Sequence, residues 1–250
     1  TAGSDHQVFA EGSWRIPTIY FNDWPDRYIH TNKDTADKVD PTKLQRAAFI
    51  GAATGLSLAS LREPDGRAVW NAIKTGILRR RPLHEARKLQ VQPFEAELYT
   101  AWEKAYGQQL LKSLRPFLTL PADVQSDALE FLLAAGPPLP PPSRPLPREY
   151  NLLFERLPEP KGPMGGFGYD FFTDKLGRER VREVRLLRHQ GLWGSGDYAY
   201  EVLNLVDGQR RAGAIWDAVA ATYGPVPFDY VLEYLRALES IGLLREKKSP

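Results

Sequence analysis

The sequence predicts a mixed, mostly α-helical fold laid out in separate blocks along the chain. Three observations predict it. Apolar residues recur at helical spacing over several long stretches after residue 40. Strand-like runs are few and short, the β-rich Ile16–Phe21 and the LLRE at 243–246. Proline is concentrated in one place: seven of the eleven residues 137–147, and ten of the chain's 21 between Pro137 and Pro163.

In chain order, residues 4–12 (SDHQVFAEG) predict a short helix with Ser4 or Asp5 as N-cap and Gly12 as stop. Ile16–Phe21 predicts a buried strand, followed by a polar loop to Pro41. Proline in the first turn starts the next helix, which runs to Leu61. That helix is apolar on nearly every side, with Ala47, Ala48, Gly51, Ala52, Ala53 and Gly55 as small residues. Such a helix is expected inside a larger body, against a sheet. One strand cannot make a sheet, so residues 1–61 read as the end of an α/β domain. Residues 62–136 read as a helical extension, with amphipathic helices at 67–80, 94–115 and 122–135. The Arg79–Arg81 triplet is expected at a helix end, where cations complement the dipole.

Residues 137–162 form a proline-rich connector. Proline fixes φ and lacks a donor, so this is a semi-rigid extended spacer, or in a sharper reading a PxxP ligand. Residues 163–250 begin with a glycine-rich turn, MGGFGYDFF, which lacks any phosphate-loop spacing. Helices are expected at 178–188, 198–206, 212–223 and 227–241, then a short strand at LLRE. The last three helices and the strand make a winged-helix-like unit.

The formal charge of +2 is spread evenly: −1 over 1–61, +2 over 62–136, +1 over 137–162 and zero over 163–250. A nucleic-acid protein should show a basic face. The third helix of the last unit instead offers Asp229, Glu233 and Glu239 against Arg236 alone, which phosphates would repel. The absence of cysteine excludes a disulfide scaffold, a thiol nucleophile and Cys-ligated zinc. The longest apolar stretch, 47–61, is too short to span a bilayer and reads as a buried helix. Thr1 as an N-terminal nucleophile has nothing else to support it.

Four histidines remain as candidates for chemistry. His84 is expected exposed at a helix start, and His189 at the end of a basic helix. His6 and His30 flank the one predicted strand, in the sequences Ser4-Asp5-His6 and Tyr28-Ile29-His30-Thr31. Ligands of α/β sheets gather where strands end, and neutral imidazole is the commonest metal ligand.

SDHQVFAEG, IPTIYF, IHTNKDTADKVD and the small-residue helix together resemble the closing segment of the M28 zinc aminopeptidase family, to which glutaminyl cyclases are related. The likeness spans about residues 3–61. It implies that His30 is a zinc ligand, and that Asp5, His6 and Tyr28 line the substrate pocket. It gives Asp34, Thr35, Asp37 and Asp40 the role of capping and orienting the loop and helix. The family's other metal ligands and its glutamate base precede this segment. The resemblance therefore implies a parent protein holding two zinc ions, with no zinc and no activity expected of this chain alone. Its partners would be a peptide substrate and the N-terminal remainder of the same protein, in a periplasmic or extracellular setting. The tail, YEVLNLVDGQRRAGAIWDAV through YLRALESIGLL, is similar to small winged-helix units of the PqqD kind, which make protein or peptide contacts. A second reading stays open: a helical and winged-helix module that contacts another protein, with His30 merely structural.

Overall fold

The computed structural model describes residues 4–22, 24–134, 147–164, 170–191 and 198–247. The proline-rich run at 137–146, the glycines at 165–166 and Thr1 lie outside these. Among the described residues the fold is mixed and mostly α-helical, with ten α-helices and two short strands. The chain divides into two compact units. The first comprises Thr1–Thr18, Pro82–Glu103 and Pro138–Pro250; the second, Ile19–Arg81 and Lys104–Pro137.

The first unit holds most of the buried apolar surface. It opens with α1 (His6–Ala10) and contains strand β1 (Leu153–Arg156), α6 (Phe171–Leu176), α7 (Arg178–Glu183), α8 (Tyr198–Leu205), α9 (Ala212–Tyr223), α10 (Phe228–Ser240) and β2 (Leu244–Lys247). The strands pair antiparallel, with Phe154 opposite Glu246 and Arg156 opposite Leu244. Ile215, Leu235, Leu238, Leu243 and Phe154 of β1 are fully buried in this unit's core. A close approach replaces a side chain at Gly213: a Cβ there would lie 2.5 Å from the Tyr150 ring. That ring stacks edge-on against Trp216 at 5.6 Å, and the Trp216 indole donates to the Val226 carbonyl at 2.6 Å. The acids expected on the face of α10 are held in ion pairs. Asp229 and Glu233 meet Arg185, and Glu239 meets Arg236.

The second unit contains α2 (Pro41–Ser60) and α5 (Ala122–Leu133). It also takes the first part of α3 (Gly66–Lys88) and the last part of α4 (Pro93–Ser113). Its core is small: Trp70, Val124 and Ala128, with Ile73, Leu111, Leu120 and Phe131 against them. The Trp70 indole donates to Asp127 at 2.7 Å, and Arg67 and Lys74 hold the same carboxylate.

Several expectations fail here for identifiable reasons. Ile16–Phe21 is neither a strand nor buried: it is irregular and exposed along its whole length, because no neighbouring strand is supplied and Pro17 lacks a donor. Helix α2 forms at its expected limits but buries none of its residues. Leu44 is 61% exposed, Phe49 72% and Leu56 71%. A Cβ at Gly51 or Gly55 would meet nothing within 4 Å, so the small residues pack against no neighbour here. The expected helix end at Arg79–Arg81 is instead mid-helix, since α3 continues through Pro82 to Lys88. Pro82 forfeits a bond to the Leu78 carbonyl, and Leu78 is itself exposed, where water can serve that oxygen. His84 is therefore inside α3 and not at a helix start. The helix expected at 178–188 breaks after Glu183 into a 3₁₀ turn at Arg185–Arg188. His189 follows that turn, and its Nε2 lies 3.0 Å from the Pro225 carbonyl.

Candidate functional site

Two short structures carry the four sequence-predicted residues, one in each unit. The first is α1 and the turn after it. Asp5 is exposed and begins the helix through its carbonyl, which accepts from Val8 N at 3.0 Å. Its carboxylate makes no cap. His6 is half-buried, with Nδ1 turned fully inward.

Contacts made by α1 and by the turn after it fix this segment to the rest of the unit. Tyr200 donates to the Gln7 carbonyl at 2.8 Å, and Gly12 N donates to Asn204 Oδ1 at 2.9 Å. Glu11 is fully buried and forms an ion pair with Arg156, whose side chain is 9% exposed. Glu11 Oε2 also accepts from Ser13 N at 3.0 Å. The Arg156 guanidinium donates to the Gly162 carbonyl at 2.9 Å. Burial draws its pKa below the usual range. Sequence reasoning missed this pair. The partners stand 145 residues apart, and neither has a local signal.

The second structure is the turn at 26–31. Asp26 Oδ1 accepts from Tyr28 N at 2.8 Å and from Ile29 N at 3.1 Å. The Tyr28 carbonyl accepts from Thr31 N at 3.0 Å and from its hydroxyl at 2.6 Å. The last two bonds span His30, which is exposed and has a left-handed backbone at φ 61°. Non-glycine residues rarely adopt that conformation. Tyr28 is half-buried, with Lys38 Nζ 5.6 Å from its ring centroid. Downstream, Asp37 is tied to Thr35 and Lys38. Asp40 caps α2 by accepting from Thr42 N at 2.8 Å, and these backbone N–H bonds hold its carboxyl below the usual range.

Asp5 and His6 thus belong to one unit, Tyr28 and His30 to the other. Among the described residues no three His, Cys, Asp or Glu side chains form a group able to hold a metal ion. A catalytic zinc needs about three protein ligands, so the residues present do not fit one. No helix among the described residues is long and apolar enough to cross a membrane. In comparison with known proteins, residues 1–54 match peptidase family M28. No curated protein and no solved structure matches the chain.

Proposed function

We propose that residues 1–61 are the closing segment of an M28-type aminopeptidase body related to the glutaminyl cyclases. In that body His30 is a zinc ligand, and Asp5, His6 and Tyr28 contact the peptide substrate. The reaction of the intact protein is hydrolysis of N-terminal peptide bonds. Two zinc ions, the remaining ligands and the base come from other parts of that protein, and this chain alone is inactive. The parent works in the periplasm or outside the cell. Residues 163–250 are a PqqD-like winged-helix appendage that makes protein contacts.

The observation that carries this reading is His30. An exposed imidazole sits at a left-handed backbone position in a turn closed by two bonds from Thr31 to the Tyr28 carbonyl and braced by Asp26. Strain of this kind persists where the surroundings impose it, and it concentrates at functional sites. The family match over 1–54 supports the same assignment. So does the uncovered apolar surface of α2, which suits a helix that packs on a sheet in the larger body.

The second reading, a protein-binding module without catalysis, draws on the buried Glu11–Arg156 pair. That pair makes residues 5–18 an integral part of the unit that holds α8–α10. Metal content separates the two. The natural-length protein should contain about two metal ions and lose them in His30→Ala. Absence of metal, or metal content unchanged in His30→Ala, overturns the peptidase reading and leaves the module.

A further inference from the structure

The second unit contains a groove of about 880 Å³ between the last turns of α4, the connection 114–120 and α5. Ligand sites for small molecules span roughly 300–1,000 Å³. Its apolar lining is purely aliphatic: Leu111, Leu114, Leu118, Leu129 and Leu132 among others, with no aromatic side chain. Leu129 is 56% exposed, although it stands on the helix that supplies the unit's core.

The charges are segregated. Lys112 and Arg115 are the charged residues of the lining, and no acidic residue joins them. Neither forms an ion pair among the described residues. Two of the three acids of α5 are engaged elsewhere, Asp123 and Asp127 with Arg67 and Asp127 also with Lys74 of α3, and the third, Glu130, is not in the lining. The groove is thus an aliphatic trough with two cations, no acid and a few neutral polar groups such as Gln125 and Ser126.

We propose that this groove binds an aliphatic carboxylate, a fatty acid whose chain lies along the leucines and whose head group meets Lys112 and Arg115. An aliphatic lining without ring faces suits a methylene chain. Two cations without an acid complement one anion, and they discriminate against acylated neutral or basic molecules. The site is independent of His30 and of any peptidase activity.

The test is a titration of the isotope-labelled 250-residue chain with octanoate, decanoate and dodecanoate below their micelle concentrations, followed by amide chemical shifts. Saturable shifts should be confined to residues 108–132. Affinity should rise about tenfold for each two methylenes, since a fully buried methylene is worth about fourfold and the groove is open on one side. Acetate should produce no shift there. Lys112→Glu with Arg115→Glu should weaken dodecanoate at least tenfold with the far-UV dichroism unchanged. Leu129→Trp alters an exposed side chain, so the fold is kept, and it should block binding. Scattered or absent shifts, affinity independent of chain length, or full binding by either variant overturns the proposal.

Discussion

Breaking the Glu11–Arg156 pair on one side should destabilise the first unit far more than removing both partners. Glu11 is fully buried and Arg156 nearly so, so either left alone is a desolvated, uncompensated charge. Removing one member of such a pair costs about 3–5 kcal/mol. Against a typical total of roughly 5–15 kcal/mol, that is a large fraction of a domain's stability. The double substitution Glu11→Leu with Arg156→Met leaves no buried charge. It forfeits only the Ser13 N and Gly162 carbonyl contacts, at about 1 kcal/mol each. Singles near 4 kcal/mol and a double near 2 kcal/mol give a coupling of about 6 kcal/mol, above the range usual for neighbouring residues. Urea unfolding with hydrogen exchange of residues 5–18 reads this directly. Each single should raise exchange there by two to three orders of magnitude, and the double by much less. Singles that cost under about 1 kcal/mol, or a double equal to their sum, would refute a charge-compensated lock.

Two more outcomes rest on single residues. Asp217 has a buried Oδ1 with no hydrogen-bond partner among the described residues, and burial pushes its carboxyl up from 3.8 to about 7. The folded state then keeps a proton that the unfolded state releases, so stability falls as pH rises from about 4 to 7 and is level above. The loss between pH 5 and pH 8 is up to ~3 kcal/mol. Asp217→Asn should remove it, checked by thermal unfolding of both proteins at the two pH values; parallel pH profiles would refute the assignment. His30→Gly should leave stability unchanged or raise it slightly by relieving the left-handed backbone. A measured loss above about 1 kcal/mol would mean that the imidazole itself supports the fold.

The sequence makes helices legible where local chemistry brackets them. Asp40-Pro41 starts α2 with a cap and a pre-set φ, and both act as read. Gly224 closes α9 at a left-handed φ of 114°, and Gly242 follows α10 at 75°. The features that escaped depend on distant partners. Strand β1 is four residues long, and β2 supplies its ladder from 90 residues away. The helix expected to end at Arg79–Arg81 runs on through Pro82, whose i−4 residue Leu78 is exposed. Of the candidate site, the turn chemistry around His30 is local and visible. The anchoring of residues 5–18 is carried by Arg156, Asn204 and Tyr200, and no local pattern points to them.

The division between the units falls inside the stretch that matches the peptidase family. Residues up to Thr18 join the first unit, and those from Ile19 join the second. The two halves differ in physical state. The first is anchored at a few points: Glu11 is buried against Arg156, Gly12 N is bound by Asn204, and a Cβ at Gly12 would come within 3.1 Å of the Asn204 backbone, although Phe9 and Trp14 stay about half exposed. The second is open, with Trp24 71% exposed, α2 uncovered and His30 on the surface. Apolar surface left in water costs roughly 25 cal/mol for each Å², and large uncovered patches mark interaction sites. Any partner that completes a peptidase site is therefore to be sought against residues 19–60. The Asp5–His6 end is already held by this chain's own Tyr200 and Asn204, so substitutions there should loosen α1.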